Sequence, residues 1–305
     1  MKICISNVIP RQDVQGNILD VHDGCLHFFE GRYYLFGTAY GNTDGFTRSN
    51  CYVVYSSPDL AAWTLEGNML KSPPSGVFYR PYIAWNANRK KYIAWFNWYP
   101  KLWEGQFGVA ESDTPQGPYE FVTENASVGL EQPGDHGLFV DDDGVAYLTY
   151  TSIKEGHGIT VEQLDGSYIA STKRNCGVIA RGCEAPTLFK RQGLYYLLFD
   201  STCCFCPAGS GALVFTSKHP LGPWTQRGNI NRTPDARTII PAQQTHVARL
   251  PSAAGDLFLW MGDRWHSRPD GIKGHDFQYW SSPLKFNEDG SIESLSWENE
   301  WAVEL

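Results

Sequence analysis

The chain has 305 residues, 19% of them charged and 14% aromatic, with a formal net charge of -8. Its basic residues are scattered and form no block, which argues against a nucleic-acid partner. No apolar run reaches the length that a membrane helix needs, and the opening "MKICISNVIPRQ" turns polar too early for a secretory signal, which leaves a cytoplasmic protein or one whose signal has been removed.

Helical periodicity is almost absent. Short apolar and aromatic runs alternate with clusters of Gly, Pro, Asn and Asp, the pattern of an all-β chain. In chain order, "LHFFEGRYYLFGTAYG" is followed by "CYVVYSSPDLAAWTLEGN", and "PYIAWNANRKKYIAWFNWYP" by "FGVAESDTPQGPYEFV". The same unit recurs as "HGLFVDDDGVAYLTYTS" with "HGITVEQLDGSYIAS", then "APTLFKRQGLYYLLFDST" with "ALVFTSKHPLGPWTQRGN", then "THVARLPSAAGDLFLWMGDRW" with "DFQYWSSPLKFNEDGSIESLSW". Each unit opens on two strands joined by a tight turn: Glu30-Gly31, Asn86 to Asn88, Asp141 to Gly144, Arg191 to Gly193 and Ala253 to Gly255. A third strand ends at a Ser-Pro type step in four of the units, and a short fourth strand carries an aromatic residue in most of them: Trp63, Tyr119, Trp224 and Trp297. Four strands repeated five times predict a five-bladed β-propeller. No linker separates the units, so residues 1–305 read as one domain, expected to be a monomer.

In a propeller the innermost strand of every blade runs along the axis, so equivalent strand starts converge in one funnel. Asp23, Asp135 and Glu184 occupy such starts in units one, three and four, and Arg80 holds the matching place in unit two. An isolated Asp-Gly pair such as Asp23-Gly24 is usually a turn that caps its own backbone. Three carboxylates aimed at one axis repel one another and need a different reason. Glycoside hydrolysis supplies one. A protonated carboxyl donates to the leaving oxygen, an ionised carboxylate activates water or attacks, and a third can hold the acid's pKa up. The 11 Trp and 16 Tyr fit a sugar cleft, because their rings offer a flat apolar face with a polar edge.

These motifs are similar to those of glycoside hydrolase family 43. The similarity rests on Asp23 ahead of Tyr33-Tyr34, Asp135 ahead of "FVDDDG", Glu184 in "EAPTLFK", and the Gly222-Pro223-Trp224 step. It implies a five-bladed propeller that inverts anomeric configuration, with Asp23 as general base, Glu184 as general acid and Asp135 tuning and orienting the acid. The chain resembles the exo-β-1,3-galactanase-like members in particular, through His22-Asp23-Gly24, Arg80-Pro81, Gly262 to Trp265, and Gln243 in place of an axial His. It departs from them in carrying Asp23 where they usually have Gly, and Tyr79 where they have Glu. The resemblance implies His22, Tyr79, Arg80, Gln243, Arg264 and Trp265 as substrate-binding residues and an oligo- or polysaccharide as substrate, of galactan, arabinofuranoside or xyloside type. His22 would bind a sugar hydroxyl or orient Asp23, and Arg264-Trp265 would face the sugar or form a cation–π pair inside a blade. Some family members hold an axial calcium, but with Gln243 at that place no metal or other cofactor is expected. The competing reading is a non-catalytic propeller that binds glycan or protein.

Two cation-like motifs remain. Asp141 to Gly144 lacks the bidentate Glu of a calcium loop and reads as a hairpin turn. Cys203-Cys204-Phe205-Cys206, among eight cysteines, lacks zinc-ligand spacing, which leaves buried thiols or a disulfide.

Overall fold

The computed structural model describes residues 2–102, 104–206 and 209–304. Five of its six sheets follow the chain as blades. Blade one is β2 (His22–Phe29), β3 (Arg32–Ala39), β4 (Cys51–Ser57) and β5 (Thr64–Asn68), and blade two is β6 (Val77–Asn86), β7 (Lys91–Tyr99), β8 (Gln106–Ser112) and β9 (Glu120–Thr123). Blade three is β10 (Pro133–Val140), β11 (Ala146–Ser152), β12 (Gly158–Leu164) and β13 (Ser171–Asn175), and blade four is β14 (Cys183–Arg191), β15 (Leu194–Ser201), β16 (Leu213–Ser217) and β17 (Thr225–Asn229). Each is an antiparallel meander in sequence order. The hairpin turns fall where the sequence placed them: Glu30-Gly31 and Gln192-Gly193 each put two successive residues at positive φ, the conformation that matches strand twist. The five inner strands lie side by side and the last rests against β2, which closes the ring.

Both faces of most blades are covered by aromatic and aliphatic side chains. One apolar cluster joins blades one to three around Phe36, Tyr82, Trp95 and Tyr150. A second joins blades five and one around Leu26, Trp63, Met261 and Trp280, and two more fill the spaces on either side of blade four. This is the expected solution for a sheet that cannot bury two faces alone.

Blade five differs from the sequence expectation of a fourth strand near Trp297. It has three laddered strands, β18 (Gln243–Leu250), β19 (Leu257–Arg264) and β20 (Phe277–Trp280). Pro283 interrupts the run after β20, and the chain then crosses toward blade four, where Leu295 N–H donates to Ile230 O (2.8 Å). The chain ends pair with each other instead: β1 (Lys2–Ser6) and β21 (Glu300–Glu304) form an antiparallel ribbon. Asn7 pins that ribbon to blade five, donating through Nδ2 to Trp280 O (3.0 Å) and accepting from Trp280 N–H at Oδ1 (2.9 Å).

One distortion recurs and positions the site. In β2, β6, β10 and β14, two inner-strand residues face one on the second strand: Asp23-Gly24, Arg80-Pro81, Gly134-Asp135 and Ala185-Pro186. Such a bulge bends the strand and re-aims its side chains. Asp23 (φ 63), Arg80 (φ 49) and Ala185 (φ 58) take left-handed backbone there. The Asp-Gly pair thus does carry the positive φ of a turn residue, but spends it inside a strand. Gly24 is required beside it, because a Cβ at that position would lie 1.8 Å from Phe36 O.

Candidate active site

The bulges bring Asp23, Asp135 and Glu184 to the wall of a single cavity of about 290 Å³ at one mouth of the axial channel. Tyr40, Tyr79, Arg80, Gln243 and Trp265 share that wall. Asp23 is fixed at both ends. Its backbone N–H donates to Asp263 Oδ2 (2.7 Å), and its Oδ2 accepts from the Tyr40 hydroxyl (2.7 Å). Its Oδ1 takes no hydrogen bond from the described residues. Glu184 is held in a similar one-sided way. Gln243 Nε2 (2.9 Å) and Cys203 N–H (3.1 Å) both donate to its Oε1, while Oε2 takes no hydrogen bond from the described residues. Each carboxyl therefore keeps one anchored oxygen and one available oxygen.

Arg80 is the counter-charge. It is 1% exposed and its Nε pairs with Asp135 Oδ1 at 2.9 Å. Burial raises the Glu184 carboxyl, the Asp135 charge raises it further, and Arg80 with the two hydrogen bonds offsets only part, leaving it at about 8. Burial also raises Asp23, helped by Asp263 and opposed by Arg80, Tyr40 and His22, to about 7. Beneath Glu184 lies its cross-strand partner Asp200, whose carboxyl is pushed far up by burial and by Glu184. It accepts from Gln244 N–H (3.1 Å) and does not line the cavity.

Two of the sequence-predicted binding residues are elsewhere. His22 is fully buried behind the cavity wall, with Nδ1 3.1 Å from Asp263 Oδ1 and Nε2 3.5 Å from Asp20 Oδ1. Burial would lower its pKa, but these two carboxylates lift it to about 10. His22 and the Asp23 backbone share Asp263, and His22 is not among the residues that line the cavity. Arg264 points away from the funnel: Nη1 donates to Asn7 O (2.6 Å) and its guanidinium lies over Phe277 (5.1 Å) and Trp297 (4.8 Å). Strand alternation explains the split, since Arg264 ends β19 on one face and Trp265 turns to the other. Trp265 stacks on His22 (5.0 Å) and donates through Nε1 to Gln243 Oε1 (3.0 Å). Gln243 thereby bridges Trp265 and Glu184. Tyr79 lines the cavity with a hydroxyl that is buried and has no hydrogen-bond partner among the described residues.

With this geometry in view, comparison with known proteins is direct. The family model "Glycosyl hydrolases family 43" matches residues 19–290. The chain belongs to this family. A family 43 beta-1,3-galactosidase solved with galactodeoxynojirimycin is 25% identical with a TM-score of 0.83, over 97% of this chain and 99% of that one. The exo-beta-1,3-galactanase 1,3Gal43A of Clostridium thermocellum is 26% identical with a TM-score of 0.85, over 97% of this chain and 66% of that one. A curated relative, the beta-D-galactofuranosidase xynD of Aspergillus niger, is 27% identical over 228 residues, which span 67% of this chain and 62% of the relative.

Within this family 43 chain the site has members that the sequence reading did not single out. Tyr40, Tyr99, Thr151, His157 and Phe205 line the cavity, and Asp263 anchors Asp23 from 240 residues away. Tyr40 and Thr151 sit at or just past the ends of second strands, a repeat-level signal that could have found them; Asp263 falls inside the Gly262 to Trp265 motif, but nothing local shows that it reaches Asp23. Among the described residues no three His, Cys, Asp or Glu side chains lie together as a metal-ligand set. The buried His136 of β10 directs Nε2 to Trp95 O (3.2 Å) and is lowered to about 3 by burial. Asp141 is spent on Lys190 (2.6 Å) and the Tyr195 hydroxyl, inside a turn closed by Gly144 N–H to Asp141 O (2.9 Å). Cys203 and Cys206 form a disulfide and Cys204 is a free thiol on the cavity wall, while Pro207 and Ala208 of the same segment lie outside the described residues.

Proposed function

We propose that the chain is an inverting, exo-acting glycoside hydrolase that removes terminal galactose from β-1,3-linked galactose chains. The observation that carries this reading is the pair of half-anchored carboxyls, Asp23 and Glu184, on one cavity wall. Glu184 Oε1 is saturated, so its proton sits on Oε2 and passes to the glycosidic oxygen as the bond to the anomeric carbon breaks. Asp23 Oδ1 takes a proton from water as the water oxygen bonds that carbon from the opposite side. Asp135, neutralised in part by Arg80, keeps Glu184 protonated until transfer.

The similarity to a beta-1,3-galactosidase along nearly the whole of both chains supports galactose as the sugar. The cavity, at about 290 Å³, is near the lower end of the roughly 300–1,000 Å³ range of small-molecule sites, which suits one sugar unit at a chain end. The Tyr79 and Thr151 hydroxyls, both buried without partners among the described residues, would gain sugar hydroxyls as partners. A galactofuranoside is the second reading, supported by the curated relative. A purely binding propeller would have no use for two carboxyls raised by burial, each with one oxygen left unengaged by the described residues.

The test is galactose release from β-1,3-galactobiose, set against aryl β-galactofuranoside, across pH. Asp23 must be ionised, so the rate falls on the acid side near its pKa of about 7. Glu184 must be protonated, so the rate falls on the alkaline side near about 8. The expected kcat/KM profile is a narrow bell displaced upward from the usual carboxylate range, with its maximum between those values. A broad optimum near pH 4–5 would mean that burial does not raise these two groups.

A further inference from the structure

Beyond β15 the chain enters Cys203 to Cys206, a stretch outside the ladder that reaches the site three times. Cys203 N–H donates to Glu184 Oε1 (3.1 Å), Cys204 lines the cavity, and Phe205 stacks on Phe46 (4.9 Å) and meets Trp265 edge-on (4.8 Å). Few backbone hydrogen bonds hold it among the described residues, one of them between Phe205 O and His266 Nε2 at 3.1 Å. Thr202 N–H reaches Gly182 O (3.3 Å) and Gly209 N–H reaches Cys206 O (3.1 Å). Cys203 itself sits at φ 122, a conformation that side chains other than glycine rarely hold unless their surroundings impose it. The Cys203–Cys206 disulfide is the covalent constraint available to impose it.

We infer that this disulfide is a positioning device for the general acid, so that glycoside cleavage by this chain responds to thiol reductants. The inference rests on Glu184 being the acid. With the cross-link closed, Cys203 N–H stays on Oε1 and leaves Oε2 as the proton-bearing oxygen. With it open, Cys203 relaxes toward negative φ, its N–H leaves Glu184, and the carboxyl rotates about the single bond from Gln243 that remains.

The chemistry balances with a dithiol as reductant. Its thiolate attacks one protein sulfur and forms a mixed disulfide as the other protein sulfur leaves and takes a proton. The second dithiol sulfur then closes on the first, so the dithiol becomes a cyclic disulfide and both cysteines become thiols. Cys203 is exposed and within reach of a solvent thiol. The neighbouring Cys204 thiol stays out of the exchange at neutral pH. Burial first, then Glu184, Asp135 and Asp23, push it up to about 12.

Around Glu184 the charged and titrating groups are Asp135 from β10, Arg80 from β6, Cys183 from β14, Asp200 from β15, Tyr99 from β7 and Cys204 in the loop. None of them is altered by reduction. The one interaction removed is a hydrogen bond that favours the ionised acid, so the alkaline limb should move to higher pH. A merely structural disulfide would lower activity without moving that limb.

The experiment measures thiols and rates on the same preparation. Titration of the unreduced, denatured protein should find six thiols, and eight after a dithiol, because six of the cysteines are free. Reduction should lower kcat on β-1,3-galactobiose by about 10-fold or more, the scale of one hydrogen bond to a charged group. It should spare an aryl galactoside with a good leaving group, move the alkaline limb upward, and reverse on reoxidation. The double variant Cys203→Ser, Cys206→Ser should show the reduced behaviour and ignore the dithiol. Eight thiols before reduction, unchanged rates, equal loss on both substrates, or an unmoved alkaline limb would each overturn the inference. An unreduced protein that cleaves neither substrate would instead overturn the assignment of Glu184.

Discussion

Glu184→Gln is expected to lower kcat on β-1,3-galactobiose by about 10²–10⁴-fold, the usual contribution of general acid catalysis. The substitution keeps the shape of the side chain. Its amide oxygen can still accept from Gln243 Nε2 and Cys203 N–H, so the fold and the cavity wall should survive. What it loses is the proton on Oε2. A galactose leaving group cannot depart without that proton, whereas a dinitrophenolate can. Turnover of an activated aryl galactoside should therefore fall far less than turnover of the disaccharide. Equal losses on both substrates would show that Glu184 serves some other end, such as holding the sugar.

Asp23→Asn is the second large effect. Asparagine can keep the Tyr40 contact through its amide oxygen, and the backbone N–H bond to Asp263 does not involve the side chain. The amide cannot take a proton from water, so kcat should drop by about 10²–10⁴-fold. Azide, a nucleophile that needs no base, should restore turnover. The other group on the same wall that could be asked to activate water is Gln243. Its two ends are engaged, Nε2 on Glu184 and Oε1 with Trp265 Nε1. Gln243→Ala should thus disturb the acid rather than abolish water activation, and azide should not rescue it. A harmless Asp23→Asn beside a dead Gln243→Ala would reverse the roles.

The repeat architecture was legible because each blade carries its own strand, turn and strand signals within some 60 residues, and four of the five add a Ser-Pro type step. The three acids were legible for the same reason: they recur at one place in a repeating unit, and the unit's geometry says where that place points. Tyr79 and Gln243 were singled out only through the family resemblance, and both line the cavity. Legibility ended where a side chain's partner comes from another blade. Nothing near His22 in sequence announces that Asp263 will take its Nδ1, and that contact decides whether the ring faces sugar or protein. Arg264 was misplaced by one residue of strand alternation, which a motif of adjacent letters conceals. The missing fourth strand of blade five has a similar origin, since the chain ends pair with each other rather than with β20. The cysteine cluster left several readings open because spacing alone does not say which sulfurs face one another; the loop's path past Glu184 does.

The proposed roles of Asp23 as base and Glu184 as acid amount to a single displacement by water, and that mechanism leaves a signature in the first product molecules. Proton NMR of β-1,3-galactobiose hydrolysis, followed before mutarotation equilibrates the free sugar, reads it directly. The geometry predicts that α-galactose appears first from the cleaved, non-reducing unit and decays toward the equilibrium mixture. Initial formation of β-galactose would mean two displacements through a covalent intermediate, and would contradict the assignment of Asp23 as the residue that activates water.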